Sequence, residues 1–458
     1  MRKTERKVVR LMVRKQISKK KKTNSFLQRR KDKTDTQYEY LVEKHIIKPN
    51  HSHYKLLDKY SHLANNIYNQ GLYRFRQALF QGKWLTYANL DKSFKQSYQQ
   101  RDCMLYQSMK NVHLAQQILK LICQNMNAWN KARKAYAKAP HKFVGRPRLP
   151  KYHSKGGKSI IIIDNQTAKL RANGIVEIPA LDNLKIKLQH QTTTKIQQVR
   201  IIPKNNVFVV EVVYKTNKLI EYKPDNQRYL TIDPGLDNAF TLATNVRGIR
   251  PLIINGRPLK SINRYYNKQR AKLTRIAKIV NQRTITHQLE QLDFYRNQKV
   301  LSFAHEASKR IIEFALSHEL NTIIIGKNKN QKRSIDLGKR VNQNFVGIPH
   351  QRMIEMIEYK ANLVGIVVIQ HNEAYTSQTS FLDNEEPINQ NGNQARKRKG
   401  LSPINRRVKR GLFKADDGRL INADVNGALQ ILRKVVPNAF ADGIEGIGLC
   451  PVKLNLNF

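Results

Sequence analysis

The order of the apolar segments after Tyr229 constrains the fold of this chain more than any other feature of its sequence. Three short apolar runs lie close together, as expected for strands joined by turns: RYLTID, AFTLAT and PLIIN. A long helical stretch follows from about Arg257 to Leu320, with a break near Arg283–His287. A strand (NTIIIG), a helix (HQRMIEMIEYKANLV), a second strand (GIVVIQ) and a closing helix (NADVNGALQILRKVV) complete the series. This pattern predicts a mixed sheet covered by helices.

Two acids mark the ends of this series. A three-stranded meander followed by alternating helices and strands is the order of an RNase H-like domain, in which the end of the central first strand faces the closing helix. Asp233 ends the first strand and Asp424 lies in the first turn of the closing helix, so we expect both carboxylates around one cavity. They would raise each other's pKa unless a divalent metal lay between them. Mg²⁺ suits such a site, and two ions about 4 Å apart support phosphodiester cleavage.

Each acid also has an ordinary structural explanation. The sequence DPG that begins at Asp233 is typical of a turn. An Asp near the start of a helix, such as Asp424, is commonly a capping residue. The metal hypothesis therefore depends on the two acids occurring together in this order of elements.

The first half of the chain has a different pattern. Residues 1–35 form a basic arm that contains KKKK and RRK. Apolar residues recur at helical spacing between about residues 54 and 140, and five short apolar strands between about 158 and 215 predict a small antiparallel barrel or sandwich. The sequence between them, KFVGRPRLPKYHSKGGK, is rich in Gly, Pro and basic residues. It predicts either a loop that follows a phosphate backbone or a linker.

The charge of the chain indicates its partner. Lys and Arg number 84 against 33 Asp and Glu, a net charge of +51, which destabilises a compact protein unless a polyanion neutralises it. We therefore expect a nucleic-acid partner. The sequence has no apolar run long enough to span a membrane and no apolar signal-peptide core, so we expect no membrane association and a cytoplasmic protein. The three cysteines are scattered, which argues against disulfides and a cysteine zinc site.

Several longer motifs resemble one family. They are FVGRPRLPKY, TIDPGLDNAFTLAT, FVGIPHQRMIEMIEYKANLVGIVV, EAYTSQTS and NADVNGALQIL. Together they resemble the TnpB (OrfB) proteins of bacterial insertion sequences, which are RNA-guided nucleases related to type V CRISPR effectors. The resemblance extends from about Tyr38 to Val436, and it matches Asp233 and Asp424 to the first and third acids of a RuvC-like nuclease.

The resemblance implies a multidomain fold of α+β and α/β parts. After the arm, residues 36–225 would form a wedge β-barrel with an inserted helical recognition region. Residues 226–436 would form the RuvC-like domain, with a degenerate zinc-ribbon insert at about 376–420, and residues 437–458 a C-terminal tail. The implied partners are a guide RNA and target DNA, on which the protein would be a monomer or weak dimer in the nucleoid of a bacterium. The implied cofactor is Mg²⁺, with two ions expected.

Two departures from the family pattern lead to further predictions. Ser380 and Asp383 stand where the family has zinc-binding cysteines, and the second cysteine pair is absent, so we expect no zinc. Gly326 stands where many members carry the second RuvC acid, a Glu. Glu373 follows the next strand and could reach the same metal, so we predict Asp233, Glu373 and Asp424 as the catalytic, Mg²⁺-binding residues. The alternative for Glu373 is a solvated loop residue, and Asp383, Asp416 and Asp417 in the insert are weaker candidates for the missing ligand.

The predicted function is that of an RNA-guided DNA endonuclease of a transposable element. A second hypothesis is a nuclease-inactive relative that binds RNA and DNA as a regulator, and a third is a protein-only transposase or resolvase. The retention of both Asp233 and Asp424 favours the first over the second, because a regulator would be free to lose them. A protein-only enzyme has no need of the basic arm and wedge region for a guide RNA, which makes the third the weakest.

Overall fold

The computed structural model describes residues 40–189, 196–215, 220–282, 284–327, 347–374, 376–387, 407–409 and 411–458. The predicted basic arm and most of the basic insert after residue 387 lie outside the described residues. The described chain divides into two compact units, one within residues 40–218 and one within residues 219–458. Both mix helices and strands, as the sequence predicted.

The first unit contains three long helices. They are α1 (Tyr54–Phe80), α2 (Tyr87–Gln99) and α3 (Val112–Lys138). The periodicity predicted α1 and α3 but not α2, which begins where the Thr86 hydroxyl accepts a hydrogen bond from the Asn89 N–H. Helices α1 and α3 pack closely at Gly71, where a Cβ atom would lie 2.6 Å from the Ile122 Cδ1 atom. A larger residue there would push the two helices apart.

The strands of the first unit belong to two antiparallel sheets. One has the order β1-β7-β6-β2 and the other the order β3-β4-β5. The bounds are β1 (Tyr40–Ile47), β2 (Ile161–Asp164), β3 (Lys169–Arg171), β4 (Ile175–Ile178), β5 (Leu184–Lys187), β6 (Ile196–Lys204) and β7 (Val207–Lys215). The strands expected for a small barrel or sandwich are divided between two sheets in the described part of this unit. Strand β1 was not predicted, because its place depends on pairing with the distant β7.

The second unit is built on a six-stranded mixed sheet with the order β12-β11-β8-β9-β10-β16. The bounds are β8 (Tyr229–Pro234), β9 (Asn238–Thr244), β10 (Leu252–Asn255), β11 (Thr322–Gly326), β12 (Val367–His371) and β16 (Val452–Leu454). Strands β8, β9 and β10 form an antiparallel meander, whereas β11 and β12 run parallel to β8. The predicted meander and the alternation that follows it are therefore present.

The described part of the second unit also contains four helices and a small sheet. The helices are α4 (Arg257–Asn281), α5 (His287–Ser317), α6 (His350–Leu363) and α7 (Ala423–Val435). Strands β13 (Arg407–Lys409), β14 (Leu412–Lys414) and β15 (Leu420–Asn422) form the small sheet. The segment after Val436 was predicted to be a tail, and this needs correction: its strand β16 pairs with β10 and extends the main sheet.

The two faces of the central strands pack against different helices. Leu230 and Ile232 of β8 join the apolar core that also contains residues of α5 and α6. Tyr229 of β8 and Ile324 of β11 pack instead with Ile431 and Leu432 of α7. Because side chains alternate along a strand, every second residue of β8 and β11 faces α7. In the described part of the chain, no helix is long and apolar enough to cross a bilayer.

Candidate active site

The alternation along β8 and β11 puts Asp233 and Gly326 on the face covered by α7. Asp233 follows Tyr229 and Thr231 at every second position, and Gly326 follows Ile324 in the same way. Ile232 and Ile325 are partners in the parallel pairing of the two strands, so the residues that follow them lie side by side. The site is therefore at the carboxyl edge of the sheet, beneath the first turns of α7.

Asp233 lies directly against α7. A Cβ atom added to Gly427 would be 3.0 Å from the Asp233 Oδ2 atom, so the carboxylate lies over a helix position that has no side chain. Asp233 is half-buried. The turn that follows it is held by the His350 ring, whose Nε2 atom lies 2.9 Å from the Gly235 carbonyl oxygen. The sequence thus positions this acid between a strand end, a fixed turn and a glycine.

Asp424 is fixed by two asparagines. The Asn422 side chain caps α7 by accepting hydrogen bonds from the N–H groups of Asp424 and Val425. The Asn238 amide, at the start of β9, donates to the Asp424 Oδ2 atom at 2.6 Å. The positive end of the helix dipole also favours a carboxylate in this turn. Sequence reasoning missed Asn238, because GLDNAF resembles ordinary turn sequence and nothing in it indicates a partner nearly two hundred residues away.

Glu373 occupies the space that Gly326 leaves open. A Cβ atom on Gly326 would lie 2.5 Å from the Glu373 Oε2 atom, 3.2 Å from its Cβ atom and 2.7 Å from the Ile431 Cδ1 atom. Only a glycine at 326 admits the Glu373 side chain in this place. Glu373 is two residues beyond β12, and its side chain turns back over the end of β11 towards α7. It is therefore not the solvated loop residue of the alternative interpretation.

The Glu373 carboxyl is buried at a cost. Its Oε2 atom is sealed from solvent and has no hydrogen-bond partner in the described structure. Burial raises the pKa of Glu373 to about 7, because a charged carboxylate loses its hydration there. A buried oxygen without a partner is the kind of group that a cation would satisfy.

The three predicted acids lie near the same edge of the sheet but do not form a complete metal-binding site. Asp233 and Asp424 are associated with the first turns of α7, and Glu373 lies over Gly326, the neighbour of Asp233. Nevertheless, no three His, Cys, Asp or Glu side chains in the described ranges are gathered closely enough to hold a metal ion. The donor chemistry fits Mg²⁺, since all three residues offer carboxylate oxygens. Metal binding by these residues stays a prediction.

One face of α7 holds the segment that follows Glu373. The Asn426 amide donates to the Thr379 carbonyl and accepts from the Phe381 N–H, both at 2.8 Å. The buried Arg433 guanidinium packs 4.7 Å from the centre of the Phe381 ring and donates to the Glu385 carbonyl. Burial lowers the pKa of Arg433 to about 10. Residues 379–385 are thus fixed by polar side chains of a buried helix.

Ser380 and Asp383, which stand where the family has zinc-binding cysteines, both make hydrogen bonds. The Ser380 N–H donates to the Glu385 carboxylate at 2.7 Å, and the Asp383 carboxylate accepts from the Asp416 N–H at 3.0 Å. The absence of zinc remains a prediction. We expect elemental analysis of the purified protein to find no stoichiometric zinc, because three scattered cysteines cannot supply four thiolates. One zinc ion per chain would contradict this.

The raised pKa of Glu373 predicts a pH-dependent stability in EDTA. The folded state binds this proton more tightly than the unfolded state, so its stability falls as pH rises from about 4.5 to about 7. Glu373→Gln removes the charge, and it should raise the free energy of unfolding at pH 8 by up to about 3 kcal/mol. At pH 4 the variant and the wild type should have similar stability. Urea unfolding at both pH values tests this, and equal stability at pH 8 would show that the carboxyl is solvated.

Comparisons with known proteins match two parts of the chain. Residues 207–332 match the family OrfB_IS605, described as probable transposase, and residues 350–431 match the family Cas12f1-like, TNB domain. No curated protein matches the chain. Among solved structures, the chain is similar to that of a Cas12f1-sgRNA-target DNA complex, with 17% identity, 85% of this chain and 98% of that chain covered, and a TM-score of 0.33. A CRISPR-Cas12f ternary complex gives 15% identity, coverages of 82% and 81%, and a TM-score of 0.34.

Those two TM-scores are low, so the assignment depends on the sequence matches. The matches contain the motifs around Asp233 and Gly326 in the first case, and Glu373 and Asp424 in the second. The predicted resemblance is therefore confirmed: residues 207–332 resemble the OrfB_IS605 family of probable transposases, and residues 350–431 resemble the TNB domain of Cas12f1-like proteins.

Proposed function

We propose that this protein is a metal-dependent, RNA-guided DNA endonuclease of a bacterial transposable element. The observation that carries the proposal is the Glu373 Oε2 atom, which is buried without a hydrogen-bond partner in the described structure, over Gly326 at the sheet edge where Asp233 and Asp424 lie. A buried acid is destabilising, and this one lies beside Gly326, where this chain lacks the Glu that many family members carry. Such an arrangement fits a relocated metal ligand better than a structural role.

The proposed metal ligands are Asp233, Glu373 and Asp424. When bound, Mg²⁺ would supply an activated water and neutralise charge on the phosphate. The protein's own contribution is to orient the ligands: Asn238 holds one oxygen of Asp424, and Gly427 lets Asp233 lie against α7. Gly326 likewise leaves room for the Glu373 side chain over the end of β11. A two-ion site in an RNase H-like (RuvC) domain is part of the proposal.

The net charge of +51 supports a nucleic-acid partner, and the transposase family supports DNA as the substrate. The favoured alternative is an inactive RNA-guided regulator, and a protein-only transposase is weaker for the reason given above. The three are separated by one experiment: purify the protein with its bound RNA, sequence that RNA, and assay a plasmid that matches it. Cleavage of the matched plasmid supports the endonuclease, binding without cleavage the regulator, and cleavage without RNA the protein-only enzyme.

The charge also predicts how the protein behaves during purification. We expect it to copurify with a structured RNA and to lose that RNA at high salt, because many phosphates are neutralised by Lys and Arg. With six to ten such contacts, affinity for the RNA should fall by about 1000-fold or more between 50 and 200 mM salt. Filter binding across a salt series measures this. An RNA-free preparation that is monodisperse, together with a flat salt response, would count against a guide RNA.

A further inference from the structure

The Gly- and Pro-rich loop of the first unit is held rigidly along α1. We call residues 150–159 the strap. The Asn69 amide donates to the His153 carbonyl at 3.1 Å and accepts from the His153 N–H at 2.8 Å. One turn earlier, the Asn65 amide donates to the Ser154 carbonyl at 3.0 Å. The backbone of the strap is therefore bonded directly to side chains of the helix.

The same stripe of α1 holds both ends of the strap. The Arg76 guanidinium donates to the Pro150 carbonyl, and the His62 ring lies 3.0 Å from the Gly157 carbonyl oxygen. Between them, the rings of Tyr68 and His153 stack with centroids 4.0 Å apart and almost parallel planes. The composition of this segment is typical of a mobile loop, but its contacts preorganise it, and preorganisation lowers the entropic cost of binding a ligand.

A recess of about 450 Å³ opens beside the strap. Its lining combines amides with two tyrosine rings: Asn66, Asn69, Gln70, Tyr73, Leu105 and Tyr152. Tyr73 and Tyr152 are 51% and 43% exposed, so both rings are accessible to a ligand. The Arg76 guanidinium lies over one face of the Tyr152 ring, 4.5 Å from its centre, in a cation–π contact.

The polar groups of the recess leave hydrogen-bonding capacity for a ligand. The Asn69 side-chain amide is hydrogen-bonded to the strap. The side-chain amides of Asn66 and Gln70, which also line the recess, make no hydrogen bond in the described part of the protein. Asn and Gln amides can pair with the edge of a base, and tyrosine rings stack on its faces. Lys151 and Lys155 of the strap are exposed and can meet phosphates.

We propose that this recess binds one unstacked nucleobase of a single strand whose phosphates run along the strap. This proposal rests on the proposed function, because both require that the protein binds nucleic acid. It adds a base-binding site in the first unit. Stacking on exposed aromatic rings is typical of single-strand binding with little sequence preference, and each stack is worth 1–3 kcal/mol per base, or about 5- to 150-fold in affinity.

The test uses the full-length protein and fluorescein-labelled 20-nucleotide oligoadenylate, as RNA in one arm and as DNA in the other. Tyr73→Ala should weaken binding about tenfold in the arm that carries the natural ligand, whereas Tyr73→Phe keeps the ring and should bind as the wild type does. Gln70→Ala should also weaken binding. Tyr265→Ala, at an equally exposed tyrosine of the second unit, is the control and should have no effect.

The salt dependence separates stacking from charge. Tyr73→Ala should leave the slope of log Kd against log salt unchanged, whereas Lys155→Ala should reduce it by about one. Wild-type binding with no effect of Tyr73→Ala, Tyr152→Ala or Gln70→Ala in either arm overturns the recess and leaves the proposed function intact. No binding of either strand by the wild type also overturns the recess, whereas the proposed function is decided by cleavage of the matched plasmid. Melting temperatures within about 2 °C of the wild type exclude misfolding of these surface variants.

Discussion

Asp233→Asn and Asp424→Asn should each lower the rate of RNA-guided DNA cleavage at least about 1000-fold, equivalent to about 4 kcal/mol of lost transition-state stabilisation. Each variant keeps the shape of the side chain but removes the charge that a metal needs. Affinity for guide RNA and for target DNA should stay within about twofold of the wild type, since it comes from Lys and Arg elsewhere. Single-turnover cleavage and binding are measured on the same preparations.

The matched control is Asp417→Asn. Asp417 is an exposed acid whose pKa is lowered chiefly by hydrogen bonds from Arg419, so it tests the same chemical change away from the sheet edge. It should cleave at the wild-type rate. If Asp233→Asn or Asp424→Asn loses binding and cleavage in the same proportion, the acid serves the fold, and the turn or cap interpretation is correct for that residue.

The apolar pattern was sufficient to predict the sheet that carries these acids. Runs such as NTIIIG and GIVVIQ have no polar interruption, which suits strands buried on both faces by helices. The position of Asp233 at a strand end followed from the run RYLTID, and that of Asp424 at a helix start from NADVNGALQIL. Long periodic helices were predicted for the same reason: their buried stripe is set by local spacing.

Elements defined by distant pairing were not predictable in this way. Strand β16 is three residues long and gains its conformation from β10, about two hundred residues earlier. The face of α7 that bears Asn426 and Arg433 looks solvent-exposed in the sequence, because those residues are polar. It is buried, since their partners are backbone groups of residues 379–385. Such partners cannot be predicted from the local sequence, because they are distant along the chain.

Glu373→Gln should lower the cleavage rate about 100-fold or more, which corresponds to about 3 kcal/mol, without weakening DNA binding. The substitution keeps the side chain over Gly326 and removes only its charge. Because the same variant should be more stable than the wild type in EDTA at pH 8, a loss of cleavage cannot be ascribed to unfolding. Cleavage at the wild-type rate would show that Glu373 does not replace the missing acid.

Moving the acid back to position 326 tests the relocation directly, and the structure dictates how the exchange must be made. Gly326→Glu alone brings its Cβ atom to within 2.5 Å of the Glu373 Oε2 atom and 2.7 Å of the Ile431 Cδ1 atom. It should therefore destabilise the protein and reduce cleavage. Adding it to Glu373→Gln fails for the same reason, since the Gln side chain fills the same space and the position 373 Cβ atom would remain 3.2 Å away.

The exchange that fits combines Gly326→Glu with Glu373→Gly and Ile431→Val, which together remove the three atoms nearest to the new Cβ. This triple variant should cleave at least about tenfold faster than the Glu373→Gly, Ile431→Val parent, because it returns one carboxylate to the sheet edge beside Asp233. Gly326→Gln in the same parent is the control, with equal size and no charge, and should give no gain. If the variants with Glu and with Gln at position 326 cleave equally slowly, an acid on β11 cannot serve this site. That result would contradict the proposal that Glu373 replaces the acid missing from position 326.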